Sequence, residues 1–269
     1  MGKILKSALF CIILLLINGM SLAKEKIVIE GTGDSHKLLQ ILARAFENAN
    51  PDKKIEIPES IGSSGGIKAT AEGKCELGRV ARPIRDKEKG YKLNYKVFAY
   101  SPVVFVANRS VTWNNNLTKK QILDIYSGKI TLWSDLGGKK DDIYIANREE
   151  GDSSREVLTK NFHGWKEIEN FAGKIIYSTP ETIDIISNYK NTIGYVPLSE
   201  TKGTDLVIMK IDEIYPSAEN VKNGKYNLIA PFGIVWKGEM RGLSKAFFDF
   251  IFTPEAQKII IENGCIPAS

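Results

Sequence analysis

Lys26-Ile27-Val28-Ile29-Glu30-Gly31-Thr32-Gly33-Asp34-Ser35 is the stretch whose reading decides the fold. Its first five residues alternate and are rich in β-branched side chains, which predicts a strand. Gly31 to Ser35 then breaks the run with glycines and a capping residue. Leu38, Leu39, Leu42, Ala45 and Phe46 follow at helical spacing, and Asn50-Pro51-Asp52 closes that helix. The same order recurs. Ile55 and Ile57 mark a second strand, Ile61-Gly62-Ser63-Ser64-Gly65-Gly66 a glycine loop, Ile67 to Glu72 a short helix, and Leu77 to Ala81 a third strand. This pattern predicts an α/β chain with a parallel sheet. Ligands of such sheets sit beyond the carboxyl ends of the strands, where the glycine loops lie.

Farther along, Ser101 to Asn108 reads as a buried strand, and Thr118-Lys119-Lys120-Gln121 as a capping box before Ile122, Ile125 and Tyr126. Ile143 to Ala146 predicts a strand feeding Asn147-Arg148-Glu149-Glu150-Gly151-Asp152-Ser153-Ser154-Arg155. There Gly151 permits a turn, and Asp152, Ser153 or Ser154 caps a helix carrying Val157, Leu158 and Phe162. Thr179-Pro180-Glu181 starts another helix. Ile193 to Pro197, Leu206 to Met209 and Phe232 to Trp236 read as strands. Leu243 to Phe252 and a segment capped by Thr253-Pro254-Glu255 read as the last helices.

The N-terminus reads as a secretory signal peptide over residues 1–23. Lys3 and Lys6 precede the apolar run Leu9 to Ile17, and Ser21-Leu22-Ala23 offers small residues for cleavage. Cys11 lies inside the run and no cysteine follows the cut, so a lipid anchor is not expected. Loss of the leader lowers the formal net charge from +5 to +3, too little to imply nucleic acid. Cys75 and Cys265 remain; export permits a disulfide, and two buried free thiols are the competing reading. His36 and His163 have no cysteine nearby, so no metal site is expected.

Three glycine- and hydroxyl-rich junctions, Gly31–Ser35, Gly62–Gly66 and Gly151–Ser154, suggest helix starts converging on an anion, with Arg148 adding a planar fork of donors. A hydrated oxyanion needs every water hydrogen bond replaced on burial, and helix starts supply donors in a fixed array. Enzyme signatures are missing. The loops lack the lysine of a P-loop, no Gly-x-Ser-x-Gly elbow occurs, and neither histidine has an evident nucleophile partner.

In order, the Gly31–Ser35 loop, Phe46-Glu47-Asn48-Ala49-Asn50-Pro51, Gly62-Ser63-Ser64-Gly65-Gly66, Ala81-Arg82-Pro83, Tyr126 to Gly138, Asn147 to Arg155, Ile193 to Pro197 and Gly264-Cys265-Ile266-Pro267 resemble the substrate-binding proteins of phosphate-type ABC transporters. The resemblance covers nearly all of 24–269. It implies a two-lobed periplasmic-binding fold of type II with the ligand clamped between lobes. Lobe one would be 24–99 plus 228–269 and lobe two 100–227, with hinges near Ala99–Ser101 and Asn227–Ile229. It also implies an inner-membrane permease as partner, a periplasmic location, a monomer and no cofactor.

Carried over residue by residue, the ligand positions fall at Asp34 or Ser35, at Ser63 with Ser64 beside it, at Arg148, and in Gly151-Asp152-Ser153-Ser154. The departures are carboxylates. Asp152 stands where a hydroxyl is expected, Asp34 sits in the first loop, and Ala81 replaces the aspartate of the well-known phosphate binders. A carboxylate about 4 Å from an anion costs on the order of several kcal/mol unless a proton or cation intervenes. Either Asp34 or Asp152 accepts a proton from the ligand, or the ligand brings donors such as an ammonium or hydroxyls, with Arg79 and Arg82 then available to its acidic end. The competing reading makes both aspartates N-caps that face away, and Arg79 and Arg82 ion-pair partners within the fold. The expected function is capture of phosphate or a related oxyanion for an ABC permease. The alternatives are a sensory binding protein for another small polar ligand and a phosphoester hydrolase.

Overall fold

The computed structural model describes residues 25–113 and 115–268, so the expected leader and its cleavage site lie outside the described residues. The elements run β1 (Glu25–Gly31), α1 (His36–Ala49), β2 (Lys53–Glu56), α2 (Gly62–Ala71), β3 (Leu77–Val80), β4 (Leu93–Ala107), β5 (Asn116–Leu117) and α3 (Lys119–Tyr126). They continue β6 (Tyr144–Arg148), α4 (Ser153–Asn161), β7 (Lys174–Ile176), α5 (Thr179–Asn188), β8 (Thr192–Pro197), β9 (Val207–Ile208) and β10 (Lys210–Ile211). The chain ends with α6 (Ala218–Lys222), β11 (Ile229–Lys237), α7 (Gly242–Ile251), α8 (Pro254–Glu262) and β12 (Ile266–Pro267).

The main sheet has the order β2-β1-β3-β11-β4-β8-β6-β7. Its strands belong to two lobes, and β4 belongs to both. From Leu93 to Pro102 it pairs antiparallel with β11; from Val103 to Ala107 it pairs antiparallel with β8. The partner change at Pro102/Val103 is fastened by Val103 N–H donating to Leu228 O at 2.8 Å and the Tyr226 hydroxyl donating to Val103 O at 2.6 Å. Two chain segments therefore pass between the lobes side by side. The sheet is mixed rather than parallel: β1 pairs parallel with β2 and β3, and β6 with β7 and β8, but the crossing strands β4 and β11 run antiparallel to their neighbours.

The burial pattern follows from the side chains. On α1, Leu38, Leu39, Leu42, Ala43 and Phe46 form one buried stripe, and Phe46 meets Phe247 and Phe250 edge-on at 5.5 Å. The second lobe closes on a cluster in which Phe105 touches Tyr126, Phe162, Trp165 and Tyr195 within 6.0 Å. The first half of β4 alternates exposed and part-buried positions, while Pro102 to Ala107 is buried throughout. Its apolar run alone gave half of the strand to sequence reading. The Leu206–Met209 segment holds a strand of only two residues, β9, and a second short strand, β10, follows at Lys210.

Helix α2 starts at Gly62, five residues before the expected Ile67, so the glycine loop is itself the first turn of the helix. Close packing demands those glycines. A Cβ on Gly66 would lie 2.7 Å from Gly31 Cα and 2.9 Å from Glu30 O. Gly31 has φ +139 and presses against the backbone of Arg79. The Gly66→Ala variant should therefore lose about 1–3 kcal/mol of stability to overpacking, measured by denaturant titration. An unchanged midpoint would mean that α2 does not lie on β1 at this distance.

Candidate functional site

Three loops of lobe one and the starts of two helices of lobe two meet between the lobes. Arg79 sets the first group. It is fully buried and forms no ion pair among the described residues; Nε donates to Thr32 O at 2.7 Å, Nη1 to Ile29 O, and Nη2 to Pro58 O at 2.7 Å and Glu59 O at 3.3 Å. Burial, the main cause, lowers its guanidinium to about 10, which leaves it charged at neutral pH. The ion pair expected for Arg79 is replaced by carbonyl dipoles. Arg82 does form one, through both nitrogens to Glu88 at 2.7 and 2.8 Å, and also donates to Ser64 Oγ at 2.8 Å.

Ser63, on the first turn of α2, accepts from Ala81 N–H at 3.1 Å and shares a hydrogen bond with Ser153 of the opposite lobe at 3.0 Å. Asp152 is the N-cap of α4, accepting from Arg155 N–H at 2.9 Å. Its other oxygen accepts from Arg148 Nη2 at 2.5 Å, with both side chains under a tenth exposed. Asp152 is thus both a cap and the partner of the site arginine. Arg148 Nη1 donates to Thr179 Oγ1 at 2.8 Å. Among the described residues Arg148 Nε finds no acceptor, although the residue is only 3% exposed.

Asp34 is fully buried and is not a cap. One oxygen accepts from Ser154 Oγ at 3.0 Å and the other from Thr179 Oγ1. Burial and the nearby Asp152 raise its carboxyl to about 6, against the lowering influence of Arg148, Thr179 and Ser154. Thr179, on the first turn of α5, therefore links Asp34 to Arg148. It escaped the sequence reading because no glycine marks its junction; the Ser178-Thr179-Pro180 helix start was its one signal.

A cavity of about 440 Å³ opens here, lined by Thr32, Gly33, Ser60 to Ser64, Arg85, Lys87, Arg148 to Ser153 and Tyr177. Of the residues proposed from sequence, Ser63, Ser64, Arg148, Gly151, Asp152 and Ser153 line it, while Asp34, Ser35 and Ser154 are fully buried and are not among its lining. Ser35 Oγ has no partner among the described residues. The N–H groups of Ser63, Ser153 and their neighbours on the first turns of α2 and α4 are free of helical bonds, as at any helix start. The start of α1 is different. His36 N–H donates to Gly33 O, and Lys37 N–H donates to the buried Glu200 carboxyl at 3.3 and 3.4 Å. Of the three junctions expected to converge, the first reaches the cavity through Thr32 and Gly33 only.

Arg85 spans the opening, donating to Glu156 at 2.8 Å and Gly151 O at 3.3 Å. A larger groove of about 740 Å³ lies in lobe two, lined by Ile125, Ile143, Tyr144, Ile185 and Tyr189 among others. It is mostly apolar and lies away from Arg148 and the glycine-rich helix starts, so the polar cavity is the candidate site. Cys75 and Cys265 are both free and buried. Among the described residues no His, Cys, Asp or Glu cluster suits a metal ion, and no helix is long and apolar enough to cross a membrane.

Comparison with known proteins gives three findings. A family model described as a PBP superfamily domain matches residues 19–255. The phosphate-binding protein PstS of Bacillus subtilis (strain 168) is 27% identical over 256 residues, covering 93% of this chain and 83% of that protein. A solved chain from Clostridium perfringens, described as a phosphate ABC transporter substrate-binding protein with bound phosphate, is 31% identical. It superposes with a TM-score of 0.80 over 91% of this chain and 100% of its own. An ABC-type phosphate transport receptor from Vibrio cholerae, 21% identical with a TM-score of 0.62 over 89% of this chain and 99% of its own, shares the fold.

Burial, the largest cause, raises the Glu200 carboxyl from 4.5 to about 8, against the lowering effect of the Lys37 and Leu38 backbone N–H groups. The folded chain binds this proton more tightly than the unfolded chain. Its contribution to stability is complete below 4.5 and is lost as pH rises to about 8. The thermal midpoint should fall between about pH 5 and 8. Glu200→Gln, which cannot ionise, should flatten that fall; an equal slope in both proteins would remove Glu200 as its source.

Proposed function

The chain belongs to the PBP superfamily, and from that premise we propose that it is an exported solute-binding protein that captures phosphate or a related oxyanion for an ABC permease. The observation that carries this reading is Arg148, a guanidinium 3% exposed at the floor of a polar cleft, with one N–H lacking an acceptor among the described residues. Arg148 grips an oxyanion through its fork, and the first turns of α2 and α4 add backbone N–H groups and the Ser63 and Ser153 hydroxyls. Ser64, Gly151 and Asp152 complete the wall of the cleft. Asp34, Ser35 and Ser154 form the layer behind it.

Lobe one comprises 24–99 with 228–269, and lobe two 100–227. The partner change of β4 at Pro102/Val103 supports hinges close to these boundaries. The contacts Ser63–Ser153, Asp34–Ser154 and Arg85–Glu156 bring the lobes together, and a membrane permease reads that closed shape in the periplasm. The protein acts as a monomeric binding module rather than an enzyme. The names of its relatives support that reading, and the two carboxylates beside Arg148 are already engaged: Asp152 is held by Arg148 and Asp34 by Ser154 and Thr179.

Isothermal titration of the mature chain should show phosphate binding at one site per chain. Arg148→Lys keeps the charge facing Asp152 but loses the planar fork, so affinity should fall at least about tenfold. The thermal midpoint without ligand should move little. Undiminished affinity would remove Arg148 from the site, and the absence of heat at millimolar phosphate in the parent would overturn the phosphate assignment.

A further inference from the structure

The groove of about 740 Å³ in lobe two lies at the opposite ends of the strands that carry the cleft. Arg148 ends β6 and Tyr177 follows β7, and both line the cleft. Tyr144 opens β6, Lys174 opens β7 and Thr192 opens β8, and all three line the groove. The two cavities share no lining residue.

The wall of the groove is aliphatic. Ile125 comes from α3, Ile130 from the turn after it, Ile143 from the residue before β6 and Ile185 from α5. Ile125 is buried, and the other three are half-buried against the core. The rim carries one sign of charge. Lys174 and Lys190 are the charged residues of the lining; both are exposed, and among the described residues neither ammonium is in an ion pair. They sit on the chain entering β7 and β8, the two neighbours of β6, so they flank Tyr144. Asp142 and Asp184 adjoin lining residues in sequence, but both are exposed and lie outside the lining. Tyr144, 56% exposed, and Tyr189, 64% exposed, complete the rim.

An open apolar concavity of this size falls in the range of small-molecule sites, and it keeps aliphatic surface in contact with water until something covers it. A small hydrated anion gains nothing from the isoleucine wall, and an uncharged hydrocarbon gains nothing from the lysines. A molecule with one apolar chain and one anionic end gains from both. We propose that the groove is a second binding site, independent of the cleft, for an amphipathic monoanion of the acyl carboxylate class. The chain lies along Ile125, Ile130, Ile143 and Ile185, and the carboxylate meets Lys174 and Lys190 at the rim.

The test is calorimetry on the mature chain at low ionic strength, with dodecanoate and dodecyltrimethylammonium as probes of equal chain length and opposite charge, both below their micelle concentrations. Dodecanoate should bind at one site per chain and at least about fivefold more tightly than the cation, as expected for an anion held by two exposed lysines. In the Lys174→Gln/Lys190→Gln double variant that preference should shrink to within about twofold. Ile185→Gln, which places an amide in the wall, should weaken both probes at least about fivefold; melting curves check that each variant folds. Equal affinity for the two probes, a preference that survives the double variant, or no dodecanoate binding would overturn the inference. So would displacement of dodecanoate by saturating inorganic phosphate, which would place it in the cleft. Adsorption to phosphatidylglycerol vesicles without binding of monomeric dodecanoate would also overturn it, in favour of a membrane surface. None of these outcomes alters the oxyanion reading of the cleft, which is tested by phosphate alone.

Discussion

A carboxylate sealed from water must take its donors from the protein, and Asp34 takes them from the opposite lobe. Ser154 and Thr179 hold its two oxygens, Thr179 accepts from Arg148, and Arg148 holds Asp152. Asp34, Ser154, Thr179 and Arg148 are buried and the Asp152 side chain is 7% exposed, so removing one leaves another polar or charged group unsatisfied. The lobes are thus joined at the cleft by a chain of charge and hydroxyl rather than by apolar surface. This chain also places the positive ends of α4 and α5 beside the carboxylates that need them.

Arg79 does the equivalent work inside lobe one. Its donors hold the carbonyls of Ile29 on β1, of Thr32 in the loop that follows it, and of Pro58 and Glu59 in the loop after β2. Those loops carry Thr32, Gly33 and Ser60 to the cavity wall. The glycines complete the arrangement: with no Cβ at Gly31 or Gly66, α2 lies directly on β1, and its first turn is delivered to the cleft. A cation surrounded by carbonyls, rather than paired with a carboxylate, fixes position without adding negative charge near the site.

The carboxylates around this cleft cluster beside Arg148 and Glu149 rather than at position 81. Ala81 offers only its backbone N–H, which is spent on Ser63. The acidic groups instead lie on the Arg148 side, at Asp34 and Asp152, and toward the opening at Glu149 and Glu150. Arg148 is therefore partly neutralised before any ligand arrives.

The sequence by itself determined the α/β class, most of the elements, the Thr118 capping box and the three glycine-rich junctions, because periodicity and caps are local properties of the chain. It also pointed to Arg148, Ser63 and Ser153, through the order of motifs. Several features depended on contacts between residues distant in the chain. Thr179 joined the site because α5 begins beside Asp34, 145 positions away. The start of α1 was withdrawn from the cleft because Glu200, 163 positions away, accepts from it. Arg79 proved to bind carbonyls rather than a carboxylate, and β4 proved to serve both lobes. Whether a charged side chain meets ligand, partner or solvent is set by what folds against it, and that only the tertiary structure decided.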